Sequence, residues 1–370
     1  MIKLVDLTYY SHLNYKNPGQ VFENHFPALA FAAHLKNELD FNFIKHASFE
    51  EQAIFDGVPY FFFKGGNRFW SVSFKTHRFI KELKPDIVLV QGFVFPLQVI
   101  FLRLFCGKNF KIIIQHHGEL PFGGVRDRFQ KIACSMVNGF IFTAAGNADI
   151  WKRKKIIKGG SNIFELLEAS TVFKKQDKQI SRKHTGITGD FNFLWVGRLN
   201  ANKDPLTVLN GFAQHLQINP KAKLYMIYQT EDMLAEMMQI LGSTPSLSNA
   251  VVLVGKVQNE ELPYWYSAAD FYISGSHKEG SGYALLEALA CGCIPIVTDI
   301  PPYQKIIGNS KCGFLYAPGD AKALTQLLNT INNLDREKIS IAALDHFNRN
   351  LTAKNIANDL FDICNYLMAK

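Results

Sequence analysis

Two hydrophobic rhythms alternate along this chain. Short apolar runs with little polar interruption, such as Ile87-Val-Leu-Val90 and Lys111-Ile-Ile-Ile-Gln115, are the pattern of strands buried on both faces. Between them lie longer stretches whose apolar residues recur every three or four positions, the pattern of a helix with one buried face. In the first half this predicts strands over 3–7, 41–46, 86–90, 111–115 and 139–143. The helices fall over 21–39, 72–83, 95–105 and 126–138. Tyr60-Phe-Phe-Phe reads as a core strand ending at the turn Gly65-Gly66. The chain then turns polar over 174–190, which reads as a linker. A second series follows, with strands over 191–196, 223–228, 251–254, 271–273 and 294–297. Its helices are 206–217, 283–291, 321–332, 336–347 and 352–368. Alternating strands and helices predict an α/β fold with parallel sheets. At 370 residues the chain is long enough for two domains.

Charge divides the chain in the same place. Residues 1–185 hold 26 Lys/Arg against 15 Asp/Glu, a balance of +11, and the rest hold 14 against 17, a balance of −3. Ten of the basic residues lie between Lys152 and Lys183. Such a block fits a solvated face, an anionic lipid surface or a phosphorylated acceptor. No nucleic-acid motif accompanies it, so nucleic acid is not an expected partner. The Lys152-Arg-Lys-Lys155 block is the expected lipid contact, testable by exchange to Glu. Residues 87–106 carry a single charge, Arg103, but Gln91-Gly92, Pro96 and Gln98 break them into a strand and a short helix and not a membrane span. The six cysteines lack the paired spacing of a zinc site and read as buried thiols of a reducing compartment. Met1-Ile-Lys leads directly into strand-like sequence, so a cytoplasmic protein without a signal peptide is the expectation.

The chemistry concentrates in 270–299, DFYISGSHKEGSGYALLEALACGCIPIVTD. This reads as strand, glycine-broken loop, helix and strand. Glu287 interrupts a helix that is otherwise apolar and small, and an unpaired buried carboxylate is costly. Glu279 lies eight residues earlier, in the loop before Gly280, Ser281 and Gly282. A helix starting near Gly282 places Glu287 roughly 7 Å along the axis. The open amides of that helix start would lie between the two acids, where they favour a phosphate. Carboxylates accept from hydroxyls, so the layout suits a ligand with hydroxyls at both ends and phosphate between. A nucleotide sugar has that shape. Two cations, Arg198 and Lys203, follow the strand 191–196 and make a natural diphosphate clamp or two surface ions. His116-His117-Gly118-Glu119 follows the strand 111–115, at the end where open parallel sheets bind ligands.

The string from Glu279 to Asp299 resembles the Glu-x7-Glu signature of the retaining, family 4-like glycosyltransferases, the glycosyl transferases group 1. The likeness is good from about Phe191 onward. It implies the GT-B fold, two Rossmann-like parallel-sheet domains facing each other across a cleft. It also implies an N-terminal acceptor-side domain over 1–180, a nucleotide-sugar donor domain over 181–350, and a final helix of about 351–370 that packs back on the first. In that resemblance Glu279 binds the sugar hydroxyls, with the amides of Gly280, Ser281 and Gly282 helping hold the donor. Glu287 binds the ribose hydroxyls, and Arg198 and Lys203 stabilise the departing diphosphate. The loop Gly255, Lys256 and Val257 receives the base. His117, with His116 as the alternative, contacts the sugar or the attacking region. Relatives have a glycine pair after the first strand, where this chain has only Gly19, and Ser281 replaces a common aromatic.

The resemblance implies a retaining hexosyl-type transfer from a nucleoside-diphosphate sugar to a hydroxyl acceptor. It involves no metal and no cofactor beyond the donor. With the basic first half, it suggests a glycan or lipid-linked acceptor of cell-envelope polysaccharide or lipopolysaccharide synthesis, and a protein peripheral on the inner face of the membrane. A nucleotide-sugar epimerase of the same fold is one alternative, distinguished by product formation without an acceptor. A non-catalytic nucleotide-sugar or glycan binder is another, against which the retained cations and acids argue.

Overall fold

The structure, a computed structural model, describes residues 1–66, 68–308 and 312–370. It divides into two compact units, Met1–Ser170 with Ala353–Lys370, and Thr171–Thr352.

The first unit is built on eight strands. They are β1 (Ile2–His12), β2 (Leu39–Ala47), β3 (Glu51–Phe55), β4 (Val58–Lys64), β5 (Ile87–Gln91), β6 (Lys111–Gln115), β7 (Gly139–Phe142) and β8 (Ile163–Glu165). Their order is β3-β4-β2-β1-β5-β6-β7-β8, and only β3 runs antiparallel to its neighbour. The apolar runs explain this arrangement. Val88 and Val90 of β5 and Ile112 and Ile114 of β6 enter the main core, while Leu89 and Ile113 are buried on the other face. Tyr60 of β4 stacks on Phe43, centroids 4.5 Å apart, and Phe61 packs on Phe79. The hairpin β3–β4 was not among the expected elements, although its turn Asp56-Gly57 is a recognised hairpin signal.

The expected helix over 21–39 is instead a helix at Pro18–Leu29 followed by a 3-10 turn at Ala32–His34. Phe31, Ala32 and Leu35 are all buried, so packing in the turn outweighs continued helical hydrogen bonding. The apolar stretch 87–106 divides into β5 and the helix Pro96–Cys106, and no helix among the described residues is long and apolar enough to cross a membrane. The last helix, Ala353–Met368, belongs to the first unit, where Tyr366 packs against Phe164.

The second unit has six parallel strands. They are β9 (Asn192–Gly197), β10 (Lys223–Tyr228), β11 (Val251–Gly255), β12 (Phe271–Ile273), β13 (Ile294–Thr298) and β14 (Phe314–Tyr316). The order β11-β10-β9-β12-β13-β14 means that the chain builds outward from β9 to one edge, then returns to β9's other side. The loops after β9 and β12 therefore leave toward opposite faces, opening a crevice at the strand ends between them.

The unit boundary falls at Thr171, ahead of the division expected near residue 180. The supposed linker contains a helix, Lys178–Thr185, capped by Asp177, whose Oδ1 accepts from Ile180 N at 2.8 Å. Ion pairs hold that helix where an apolar face would normally do so. Buried Asp270 receives Lys178 Nζ at 2.6 Å, Arg182 Nη2 at 3.5 Å and Arg336 Nη1 at 3.7 Å. It also accepts from Asn192 N at 2.9 Å, tying all three cations to the base of β9 and β12. Replacing Asp270 with Ala strands the cations and an amide. The expected cost is roughly 2–4 kcal/mol, below that of a fully buried pair because the cations keep contact with water. Urea unfolding followed through Trp195 and Trp265 should show a correspondingly lower midpoint; an unchanged midpoint would mean that the cations find other partners.

Candidate active site

Two loops meet at the crevice beside β9. The first, Gly197 to Asp204, is closed by Asn200, whose Oδ1 accepts from Lys203 N at 3.0 Å. It ends on Asp204, which caps the helix Pro205–His215 by accepting from Thr207 N at 3.1 Å. The second, Ser274 to Gly282, is bound to the first by backbone and side chain. His277 N donates to Asn202 O at 2.8 Å, Asn202 Nδ2 to Lys278 O at 3.0 Å, and His277 Nε2 lies 2.9 Å from Asp204 Oδ2. A Cβ on Gly275 would sit 2.6 Å from Asp204 O, so only glycine permits this approach.

The second loop runs into the helix Tyr283–Ala290 through Gly282, at φ +67°, where a Cβ would meet Ile306 Cδ1 at 2.8 Å. No side chain caps this helix start. Gly282 O accepts from Leu285 N and Leu286 N, leaving the preceding amides outside the helical ladder. Glu279 stands just before it. Its Oε1 is paired with Lys203 Nζ and accepts from Tyr303 Oη at 3.1 Å. Tyr303 is fully buried, and its hydroxyl also meets Ser274 Oγ at 3.1 Å. Glu287 lies on the helix's second turn, half-buried, accepting from the buried Tyr266 hydroxyl at 2.9 Å. Desolvation pushes its carboxyl up to about 7, while the Tyr266 hydrogen bond works in the opposite direction.

A cavity of about 430 Å³ opens onto these groups. Arg198, Lys203, Glu279, Gly282, Glu287 and Val257 all line it. Arg198 is exposed and makes no ion pair among the described residues. One rim thus carries two cations and a helix start, and the two carboxylates lie at separate points along the wall. This is an anion site flanked by hydroxyl acceptors. Gly280 and Ser281 do not reach the lining, and neither does Gly255 or the exposed side chain of Lys256. Sequence reasoning missed Tyr228, Tyr266 and Tyr303. Each lies in or beside an apolar stretch, and nothing local marks a tyrosine that lines the cavity, as Tyr228 does, or whose hydroxyl faces a carboxylate, as those of Tyr266 and Tyr303 do.

His117 and Gly19 lie in the first unit. Gly19 is exposed in the opening turn of the helix Pro18–Leu29, with no positive φ, and nothing in its surroundings demands glycine. The two histidines after β6 differ sharply. His116 is buried, with Nε2 2.9 Å from Glu119 O, and desolvation lowers its pKa. The His117 side chain is 36% exposed, and its ring nitrogens lie 3.0 Å from Glu168 Oε2 and 2.7 Å from Gln91 Oε1.

Comparison with known proteins finds relatives of this chain. Residues 177–344 match the model of the glycosyl transferases group 1. The alpha-monoglucosyldiacylglycerol synthase of Streptococcus pneumoniae (strain ATCC BAA-255 / R6) is 31% identical over 290 residues, covering 70% of this chain and 62% of that protein. The lipopolysaccharide core biosynthesis mannosyltransferase LpsB of Rhizobium meliloti (strain 1021) is 29% identical over 113 residues, 30% of this chain and 31% of that one. The chain thus spans about three fifths and about a third of these curated relatives. Among solved structures, Anabaena HepE in complex with UDP matches with a TM-score of 0.73 at 15% identity, over 100% of both chains. Sucrose-phosphate synthase from Thermosynechococcus elongatus matches at 0.69 and 18%, over 99% of each. These identities speak to fold alone. The chain has the two parallel-sheet α/β domains of the GT-B fold, and its residues 177–344 match the glycosyl transferases group 1.

Proposed function

We propose that this protein is a retaining, metal-independent glycosyltransferase that moves a hexose from a nucleoside-diphosphate sugar to a hydroxyl acceptor. The observation that carries this reading is the single cavity that joins Arg198, Lys203, Glu279 and Glu287 at an uncapped helix start. In this reading the diphosphate lies against Arg198, Lys203 and the helix amides, which take up negative charge as the sugar departs. Glu279 accepts from sugar hydroxyls while Tyr303 holds it. Glu287 accepts from the ribose, and the base lies toward Val257, beside Gly255 and Lys256. The family resemblance gives His117 a contact with the sugar and Gly19 a contact with the donor. No cofactor other than the donor takes part. Similar folds solved in complex with UDP favour a nucleotide donor.

We further infer a lipid-linked or glycan acceptor in envelope glycan synthesis, reached by peripheral binding to anionic membrane on its cytoplasmic side. The first unit supports this with an exposed aromatic and basic face. Trp70 is 65% and Phe74 53% exposed, and Leu104 and Phe105 are exposed large apolar residues as well. Trp70 packs on Phe129 and Phe74 on Phe105. Lys81 and Arg126 lie over Phe105 and Phe69. Such a face suits the boundary of an anionic bilayer better than the Lys152–Lys155 block. That block flanks Trp151, Ile156 and Ile157, all buried, and offers charge alone.

Calorimetry with UDP, GDP and ADP should show micromolar binding of one nucleotide, weakened about 10- to 100-fold by Arg198→Ala, which removes a charge-assisted contact. Silence with all three would overturn the transferase reading in favour of a degenerate binder.

Glu287 gives a pH signature. Its carboxyl titrates at about 7 in the folded protein, so it becomes a full double acceptor only as pH rises through that value. The affinity gap between wild type and Glu287→Gln should therefore widen from pH 6 to pH 8, the nucleotide's own titration cancelling in the comparison. A gap that stays constant would remove Glu287 from the ribose role.

On vesicles, replacing Trp70 and Phe74 with Ser should weaken binding to anionic lipid by about tenfold or more, each ring being worth roughly 1.5–3 kcal/mol when buried. Retained binding, with loss instead on Lys152–Lys155 exchange, would move the contact to the other basic block.

A further inference from the structure

At the strand ends of the first unit, a polar chain runs through His117. Asp6 of β1 is buried, and Gln91 closes β5. Gln91 Nε2 donates to Asp6 Oδ2 at 2.6 Å, and Gln91 Oε1 lies 2.7 Å from His117 Nε2. On the ring's other side, Glu168 Oε2 lies 3.0 Å from Nδ1. The backbone is fixed as well, since Glu119 accepts from His117 N at 2.6 Å and from Phe93 N at 3.0 Å. We propose that Glu168, Gln91 and Asp6 are positioning residues that hold His117 as an imidazolium with both ring N–H groups donating. His117 then meets a ligand as a fixed cation and never as a proton acceptor.

The order of the hydrogen bonds dictates this. An ionised carboxylate has only lone pairs, so Nδ1 must donate to Glu168. Gln91 presents its carbonyl oxygen to Nε2, so Nε2 must donate too. The amide cannot simply turn over, because that would set its oxygen against the Asp6 carboxylate. A neutral imidazole has one N–H and satisfies only one of these acceptors; the imidazolium satisfies both.

The surrounding charges agree. Desolvation opposes the cation at His117, but the Glu168 hydrogen bond and the carboxylates of Glu168, Glu119 and Asp6 outweigh it and raise the pKa. Burial holds the neighbouring His116 pKa down, with the His117 charge acting in the same direction. Asp6, lifted to about 6 by desolvation against the pull of Lys45, Gln91 and His117, is ionised at neutral pH and orients the amide. The sign follows. His117 has its pKa raised on folding, so its charged form and the stability it brings are present at lower pH and lost as pH climbs through the folded value.

That His117 attends the reacting sugar rests on the transferase reading; its charge state does not. Two measurements separate the two ideas. Nitrogen-15 NMR of histidine-labelled protein, without substrate, should show both His117 nitrogens protonated at low pH and titrating together above the free value of about 6.5. Glu168→Gln should lower its pKa by about one pH unit or more, a tenfold loss of proton affinity, and Glu168→Asp should restore most of it. Gln91→Met, which removes the Nε2 acceptor, should shift it the same way and serves if Glu168→Gln fails to fold. Sugar release from the donor should then fall as pH rises through the His117 pKa, with the fall displaced to lower pH in Glu168→Gln. A His117 that titrates at or below the free value of about 6.5 would overturn the proposal, as would activity that rises through its pKa in the manner of a general base.

Discussion

The second unit's chemistry depends on the close approach of two loops at one gap in a parallel sheet. The strand order leaves β9 and β12 as neighbours whose exits diverge, and a cavity is the geometric result. Whether the cavity can bind anything depends on holding those loops in register. Gly275 does this where it lies against the Asp204 carbonyl, with Asn202 and His277 fastening the loops on either side. Because Asp204 also caps the helix Pro205–His215, its side chain couples helix, first loop and second loop. A methyl group at 275 would push them apart, and Lys203 would lose Glu279.

The Lys203–Glu279 pair shows how the site is balanced without a ligand. In the proposed transferase a cation that takes a diphosphate is best held by an acid that has another task, and Glu279 fits, since Tyr303 keeps its carboxylate in place from the buried side. If Lys203 turns to a phosphate, Glu279 still has a donor and a fixed position. Arg198 is arranged differently, exposed and without an ion pair among the described residues. One cation is thus stored and the other is offered.

Much of this was legible in the sequence, and the limits have physical causes. Strands buried on both faces announce themselves as apolar runs, so the central strands of both sheets could be read directly, whereas the short edge strands β3, β8 and β14 could not. Gly282, Glu279 and Glu287 stood out because a glycine and two acids break an apolar pattern, and broken patterns are visible in one dimension. The helix Lys178–Thr185 was not visible, because ion pairs to Asp270 hold it and no apolar stripe marks it. The hairpin at Asp56-Gly57 carried a usable signal that the dominant β/α rhythm masked. Tyr266 and Tyr303 were beyond reach, since the hydroxyl of a core tyrosine gains meaning only from the carboxylate opposite it.

Glu287 and His117 are partnered by opposite means, and this explains which of the two can change state. In the second unit Glu287 has one hydroxyl for a partner and sits in a poorly solvating wall, so its proton is loosely decided near neutrality. A ligand rich in hydroxyls would settle it by supplying the donors that the protein withholds. In the first unit His117 is surrounded by acceptors, and its proton is decided before any ligand arrives. A group meant to respond to a ligand is left short of partners, whereas a group meant to impose a charge is given them in full. The sequence Gln-His-His-Gly-Glu from 115 to 119 contains one histidine of each kind. His116 is neutral and committed to the backbone, and His117 is charged and turned to solvent. The difference lies in the carboxylates that the fold sets beside the second ring, Glu168 directly and Asp6 through an amide.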